Sequence, residues 1–205
     1  GAPVIGFIDC SGIRLQEATD ALHALGSMYY KQVMASGVIP QITAVFGNCG
    51  GGLAAGTALN DFTFMAQTGK LFVNSPNTIQ ENRREKCDFS SAEFQSKESG
   101  TVDMVGTDGE VIEAIRTLVS VLPAYNKDHD SYEAGTDDLN RLCKEIESSL
   151  EDPSVLLPML GDHYLFFETK RNYAKEMVTG FLKLNGMTIG AVANRSAVHN
   201  EHGEK

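Results

Sequence analysis

Val4-Ile5-Gly6-Phe7-Ile8-Asp9 is a short apolar run, and Cys10-Ser11-Gly12 closes it with a turn. A run of this length and composition reads as a buried strand. Beyond it, Ala18, Leu22, Leu25, Tyr29 and Val33 recur at intervals of three and four, which predicts a helix from about Leu15 to Ala35 with Ser11 placed to cap its approach. Gly37 and Pro40 stop that helix, and Gln41-Ile42-Thr43-Ala44-Val45-Phe46 is a second apolar strand. Both strands are nearly continuously hydrophobic, as in a parallel sheet covered on two faces. Strand, helix, strand is a βαβ unit, and the fold class is α/β.

The alternation continues outward. Gly47-Asn48-Cys49-Gly50-Gly51-Gly52 opens a small-residue segment, Leu53 to Leu59, that reads as a tightly packed helix. Asp61 to Ala66 and Leu71-Phe72-Val73 are further short strands. From Gln80 to Gly100 charged residues interrupt any apolar stripe, so a loop holding a short helix is expected. Asp108-Gly109-Glu110 begins an amphipathic helix, with Val111, Ile115, Leu118 and Leu122 on one face and Pro123 at its end. A polar linker spans 124–138, and Leu139, Leu142, Ile146 and Leu150 mark another helix before Asp152-Pro153. Met177 to Leu184 and Met187 to Ala193 flank Asn185-Gly186, the pairing that signals a type I′ hairpin. This hairpin reads as the opening of a second domain.

The 205 residues carry a net charge of −10, and their pI near 4.9 argues against nucleic acid or an anionic membrane surface as a broad partner. No uncharged apolar run approaches the roughly 18 residues of a membrane helix, so direct membrane insertion is not expected. Cys10, Cys49, Cys87 and Cys143 are scattered without Cys-x-x-Cys spacing; reduced thiols in a cytoplasm are the expectation, and no metal site is. The start lacks a basic n-region and a long h-region, so no signal peptide is expected. A chain that opens straight into a core strand and ends in a polar tail reads as part of something longer.

The two glycine-bearing turns are the most informative feature for chemistry. Cys10-Ser11-Gly12 and Asn48-Cys49-Gly50-Gly51-Gly52 each follow a strand and lead into a helix, at the sheet edge where α/β folds bind ligands. Glycine admits close backbone approach, and amides at a helix start are donors to an oxyanion or phosphate. The same glycines serve equally well for sharp turns and close helix packing, and spacing alone does not separate the two readings. Cys49 lacks a partner base in the sequence and reads as a small buried thiol rather than a nucleophile. Gly-Lys-Ser and Gly-Lys-Thr are absent from both turns, which speaks against a P-loop. His199 and His202 have no further ligands in view, and Lys170, Arg171, Asn172, Tyr173 and Lys175, flanked by Glu168 and Glu176, read as a solvated face.

Asp9-Cys10-Ser11-Gly12-Ile13-Arg14-Leu15-Gln16-Glu17 resembles the Asp-Ser-Gly-Gly-Ala-Arg-x-Gln-Glu signature of the carboxyltransferase subunits of biotin-dependent acyl-CoA carboxylases and decarboxylases. Ala35-Ser36-Gly37-Val38-Ile39-Pro40-Gln41-Ile42 is similar to that family's Ala-Ser-Gly-x-Ile-Pro-Gln-Ile. Asn48-Cys49-Gly50-Gly51-Gly52 stands where the family has Pro-Cys-Ala-Gly-Gly, and Ala58 to Met65, Phe166-Phe167-Glu168, Asn172 to Lys175 and Gly180 to Gly190 continue the likeness. Cys10 replaces a serine, Ala18 replaces the glycine that follows Gln-Glu, and Ser99-Gly100 lacks the usual Gly-Gly-Ala and His before it.

The resemblance implies a crotonase-like (ClpP/crotonase) superhelix of ββα units. Residues 1–160 would be most of an N-terminal, acyl-CoA-binding carboxyltransferase domain, and 161–205 the start of a truncated C-terminal one. It implies an acetyl-CoA or propionyl-CoA carboxylase type of enzyme, with a coenzyme A thioester as substrate and biotin on a carboxyl carrier protein as cofactor. Biotin carboxylase and further copies or subunits of an oligomer would be its partners. Carboxybiotin would release carbon dioxide, the ureido group would take the α-proton, and the enolate would attack the carbon dioxide; no protein base is obligatory, so the protein supplies positioning and donors. Gly51 and Gly52 would be the catalytic oxyanion donors through their N–H groups, and Ser11, Gly12, Arg14 and Gly50 would bind substrate. Half an active site is expected, so the segment alone should be inactive. The alternatives are a crotonase-like CoA hydratase or isomerase and a non-catalytic structural subunit of a carboxylase complex.

Overall fold

The structure, a computed structural model, describes residues 1–75, 88–128, 135–138, 140–144, 146–196 and 198. Strand β1 (Val4–Cys10) leads through a 3-10 turn (Leu15–Glu17) into α1 (Ala18–Ala35), then β2 (Gln41–Gly50), α2 (Gly52–Thr57), β3 (Phe62–Ala66) and β4 (Lys70–Phe72). After α3 (Ala92–Lys97) and β5 (Met104–Gly106) come α4 (Asp108–Val121), the single turn α5 (Ile146–Ser149), α6 (Pro153–Leu160) and a three-stranded sheet of β6 (Phe166–Thr169), β7 (Met177–Leu184) and β8 (Met187–Asn194).

The first sheet is parallel throughout, in the order β1-β2-β3-β5, with β4 pairing β2. β2 changes partner along its length. Its first half, Ile42–Val45, pairs β3, and Asn48–Gly50 pairs β4. Alternation along the strand gives the sheet two packed faces. Ile42, Ala44 and Phe64 meet Val111, Ala114, Ile115 and Leu118 of α4, together with Phe167 of β6. Val45, Cys49, Met65 and Leu71 meet Ala54, Ala92 and Val102 on the other face. α4 is held at its start by a capping box between Thr107 and Glu110, as its apolar period and the following Pro123 require. The second sheet is antiparallel, and Asn185 (φ 50°) and Gly186 (φ 81°) supply the two positive-φ positions of the expected hairpin turn. Phe181 and Phe167 bring it against Phe62 and Phe64, at ring-centroid distances of 5.8 and 6.3 Å.

Three expectations change. β1 is not a buried strand: it is the sheet's edge, and Phe7 is 62% exposed although its ring meets Phe46 edge-on at 5.4 Å. α1 forms over nearly the expected span yet buries no residue, and Leu22, Tyr30, Val33 and Met34 lie on its open side. Periodicity records which residues are apolar, not whether a partner covers them. The helix expected from Leu139 to Leu150 reduces to α5, with Leu142 and Leu150 exposed and Leu139 outside the described residues; the main helix here is α6, which begins at Pro153 with Asp152 capping Ser154 N–H at 3.0 Å. The 92–97 helix is present as α3, while 76–87, with Cys87 among them, and the tail histidines lie outside the described residues.

Candidate active site

The two glycine turns converge at the carboxyl ends of β1 and β2. Cys10 pairs with Cys49 across the strands, and a Cβ built on Gly50 would lie 2.9 Å from the Ser11 carbonyl oxygen and 3.0 Å from the Phe72 ring. Only glycine lets the backbones pass this close. Between Ile8 and Cys10 the pairing jumps from Val45 to Cys49, so β2 bulges, and Asp9 fills the bulge: its carboxylate accepts Asn48 N–H at 3.0 Å and occupies the space a side chain on Gly47 would need. Asp9 is thus the clamp that sets the separation of the turns. Asp9 opens the signature-like stretch, but nothing local in the sequence gives it this role, because its partner lies in another strand.

Gly51 (φ 64°) turns the chain into α2, and its N–H donates to the Phe72 carbonyl at 3.0 Å. That amide is therefore engaged in the β2–β4 pairing. Gly52 N–H and Leu53 N–H, in the first turn of α2, meet no acceptor among the described residues. Leu53 was not legible as a donor, since a backbone amide carries no residue-type signal. The Gly52 carbonyl accepts the Tyr29 hydroxyl, and a Cβ on Gly52 would run into Leu25 Cδ2, so this glycine also lets α1 lie on α2. An unengaged amide and close packing coexist at the same residue. Burial holds the Tyr29 phenol above its ordinary value, with Cys49 adding to the effect.

Cys49 is fully buried, and burial followed by the neighbouring Cys10 pushes its thiol up to about 11. It is a neutral thiol, as read from the sequence, and therefore a slow nucleophile rather than an activated catalytic one. Gly12 (φ 144°) has open space around it and its carbonyl accepts the Cys10 thiol at 3.2 Å. Arg14 is exposed and lies 3.6 Å from Glu17. Lys70, opposite Asn48 in the β2–β4 register, is the other cation beside the turns, and it pairs with Asp88 at 2.6 Å. Sequence reading missed it because it starts the strand at Leu71, one residue too late.

Cavities lie elsewhere, and two of them bear on the fold. An apolar one of about 300 Å³ is lined by Val38, Pro40, Phe62 and Leu122, near the amino ends of β2 and β3, and a mixed one of about 560 Å³ by Asp103, Phe166, Glu168 and Arg171. Neither includes a glycine-turn residue. Beside the second, the basic cluster is the solvated face expected, with Arg171, Asn172, Tyr173 and Lys175 exposed; within it Lys170 turns inward, lying 3.4 Å from buried Asp103 and donating to the Gly100 carbonyl at 2.5 Å. Burial raises the Asp103 carboxyl despite that cation and the Thr63 N–H it accepts. Among the described residues, no three His, Cys, Asp or Glu side chains are grouped to hold a metal ion.

A family profile for the carboxyl transferase domain matches residues 1–202. The chain belongs to the carboxyl transferase domain family. It is 33% identical to the propionyl-CoA carboxylase beta chain of Roseobacter denitrificans and 34% identical to the methylmalonyl-CoA decarboxylase subunit alpha of Propionigenium modestum, in each case over 97% of this chain and 41% of the relative. Transcarboxylase 12S, solved with methylmalonyl-CoA and methylmalonic acid bound, superposes with a TM-score of 0.86 at 30% identity, over 95% of this chain and 40% of that one. The fold is therefore the crotonase-like α/β fold of the carboxyltransferases. The chain spans about two fifths of the length of these relatives.

Proposed function

We propose that the protein is the carboxyltransferase component of a biotin-dependent acyl-CoA carboxylase or decarboxylase, moving a carboxyl group between carboxybiotin and the α-carbon of an acyl-CoA. The observation that carries this reading is the approach of the Ser11 carbonyl to Gly50, with two amides of the next turn, Gly52 and Leu53, unengaged beside it. A thioester oxygen placed there would accept hydrogen bonds that strengthen as enolate charge develops, a kind of contact whose loss costs ~10²–10³ in rate. Gly51, whose amide is held by Phe72, would act by bending the chain into α2 rather than as a donor. Ser11, Gly12 and Gly50 would shape the floor, and Arg14 would meet the CoA phosphates, since a chain of charge −10 must hold an anion through a local cation.

The carboxyl carrier's biotin supplies the carboxyl group and the proton acceptor. Asp9, engaged by Asn48 N–H, and Cys49, a neutral thiol pushed up to about 11, leave the proton acceptor to the biotin, which fits that division of labour. Relatives named for propionyl-CoA and methylmalonyl-CoA favour a three-carbon acyl group. Residues 1–160 and 161–205 would belong to the two carboxyltransferase domains. The active unit would be a cytoplasmic oligomer served by a biotin carrier and biotin carboxylase, with this segment alone silent. Among the described residues no helix is long and apolar enough to cross a membrane.

The test is carboxyl exchange between methylmalonyl-CoA or malonyl-CoA and free biotin, catalysed by the intact protein. Biotin-dependent exchange is expected, faster with methylmalonyl-CoA. Hydration of an enoyl-CoA without biotin would instead select the hydratase reading, and inertness in both assays a structural subunit.

A further inference from the structure

We propose that Cys10 and Cys49 are a modification site: a peroxide oxidises them to a reversible disulfide that ties β1 to β2 at the base of the two glycine turns. The two residues are direct partners in the parallel register. Neighbouring strands lie about 4.8 Å apart, inside the 4.4–6.8 Å that a disulfide spans between Cα atoms. They also face the same way. Ile8 packs against the cluster that contains Cys49, and strand alternation places Cys10, two residues on, on that same side.

Both thiols are free, and their environments differ usefully. Cys10 is half-buried with its thiol donating to the Gly12 carbonyl, whereas Cys49 is fully buried beneath it. The influence of the Cys10 sulfur on the ionisation of Cys49 agrees with their closeness. Cys143 is held elsewhere, its sulfur 3.5 Å from the Met159 carbonyl. The family's signature has serine at the position of Cys10, so the pair arises from this chain's own departure.

In the first step the Cys10 sulfur attacks a peroxide oxygen. The S–O bond forms, the O–O bond breaks, and the displaced oxygen leaves as water or an alcohol with the thiol proton, giving a sulfenic acid. The Cys49 sulfur then attacks the Cys10 sulfur. The S–S bond forms, the S–OH bond breaks, and hydroxide leaves as water with the Cys49 proton. Two thiols have lost two electrons and the peroxide has gained them; a thiol reductant reverses the bond. The resolving step is slow, because Cys49 gives up its proton reluctantly.

The intact protein is treated with hydrogen peroxide, blocked with a thiol alkylator, digested without reduction and mapped by mass spectrometry. The expected product is a peptide pair linked through Cys10 and Cys49, lighter by two hydrogens, which dithiothreitol dissolves and which is missing from Cys10→Ser. Recovery of Cys10 as sulfinic acid, linkage of Cys10 to Cys87 or Cys143, or alkylation of both Cys10 and Cys49 after denaturation of the treated protein overturns the proposal. The wild-type map decides the matter even if the variant folds poorly.

Discussion

Replacing Ala18 by glycine reverses the usual sign of a helix substitution. Ala18 sits between the 3-10 turn and α1 at φ 41°, ψ −114°. A residue with a Cβ is strained there by about 1–3 kcal/mol. Glycine adopts that backbone without strain but loses about 0.5–1 kcal/mol more chain entropy than alanine on folding. The difference is a stabilisation of up to about 2.5 kcal/mol for Ala18→Gly. An ordinary alanine at the start of a helix gives the reverse, a loss of about 0.5–1 kcal/mol. Amide hydrogen exchange over the first turns of α1 reads the effect locally, and a gain of 1.4 kcal/mol would slow exchange about tenfold where opening is shared. The denaturant midpoint should rise with its slope unchanged. Faster exchange with a lowered midpoint would refute the reasoning and show that Ala18 is a relaxed helical residue. The family's glycine at this position has its physical reason in the same dihedral angle.

Gly50→Ala drives a methyl group against the Ser11 carbonyl and the Phe72 ring, so a loss of ~1–3 kcal/mol is expected together with weaker acyl-CoA binding, measured by thermal unfolding and calorimetry. Gly190→Ala, with nothing within 4 Å of its Cβ position, should leave acyl-CoA binding unchanged. Arg14→Ala should shift stability by less than ~0.5 kcal/mol, since the residue is exposed, but should weaken acyl-CoA binding and flatten its salt dependence in titrations at two ionic strengths. Cys49 has its folded value raised from 9.0 to about 11, so the unfolded chain ionises first. The stability it contributes is complete below pH 9 and is lost as pH rises through about 11, by on the order of 3 kcal/mol, and urea midpoints across that range should fall less steeply in Cys49→Ala. Thr107→Ala removes the side-chain half of the α4 capping box and should lower the unfolding midpoint by an amount equivalent to ~1 kcal/mol.

The βαβ start, the amphipathic α4 and the Asn185-Gly186 hairpin were legible because their signals are local: a period, a cap, a pair of positive-φ residues. The glycine turns were legible for the same reason, and their convergence followed from parallel topology. What escaped were contacts between residues far apart in the chain. Asp9 reaching Asn48, Tyr29 reaching the Gly52 carbonyl and Lys170 reaching Asp103 each join separate elements, and none of these residues is unusual in its own neighbourhood. Short elements escaped too. β5 and β6 have three and four residues, below the length at which alternation becomes visible, and α6 begins at Pro153 and contains Pro158, so its prolines read as breaks. The solvent exposure of β1 was hidden because hydrophobicity sets what a strand prefers, while topology decides whether anything lies over it.

The change of partner along β2 bears on how the molecule assembles. One strand gives registry to β1 on one side and to both β3 and β4 on the other, and Val4 finds Gln41 only after α1 has been looped out. Closing such loops costs entropy before any ladder bond is gained, which makes parallel sheets slow to nucleate. The glycine turns are therefore not preformed local structure. They come into being when β2 has captured its neighbours on both edges, so the folding step that completes the sheet is the same step that creates the site.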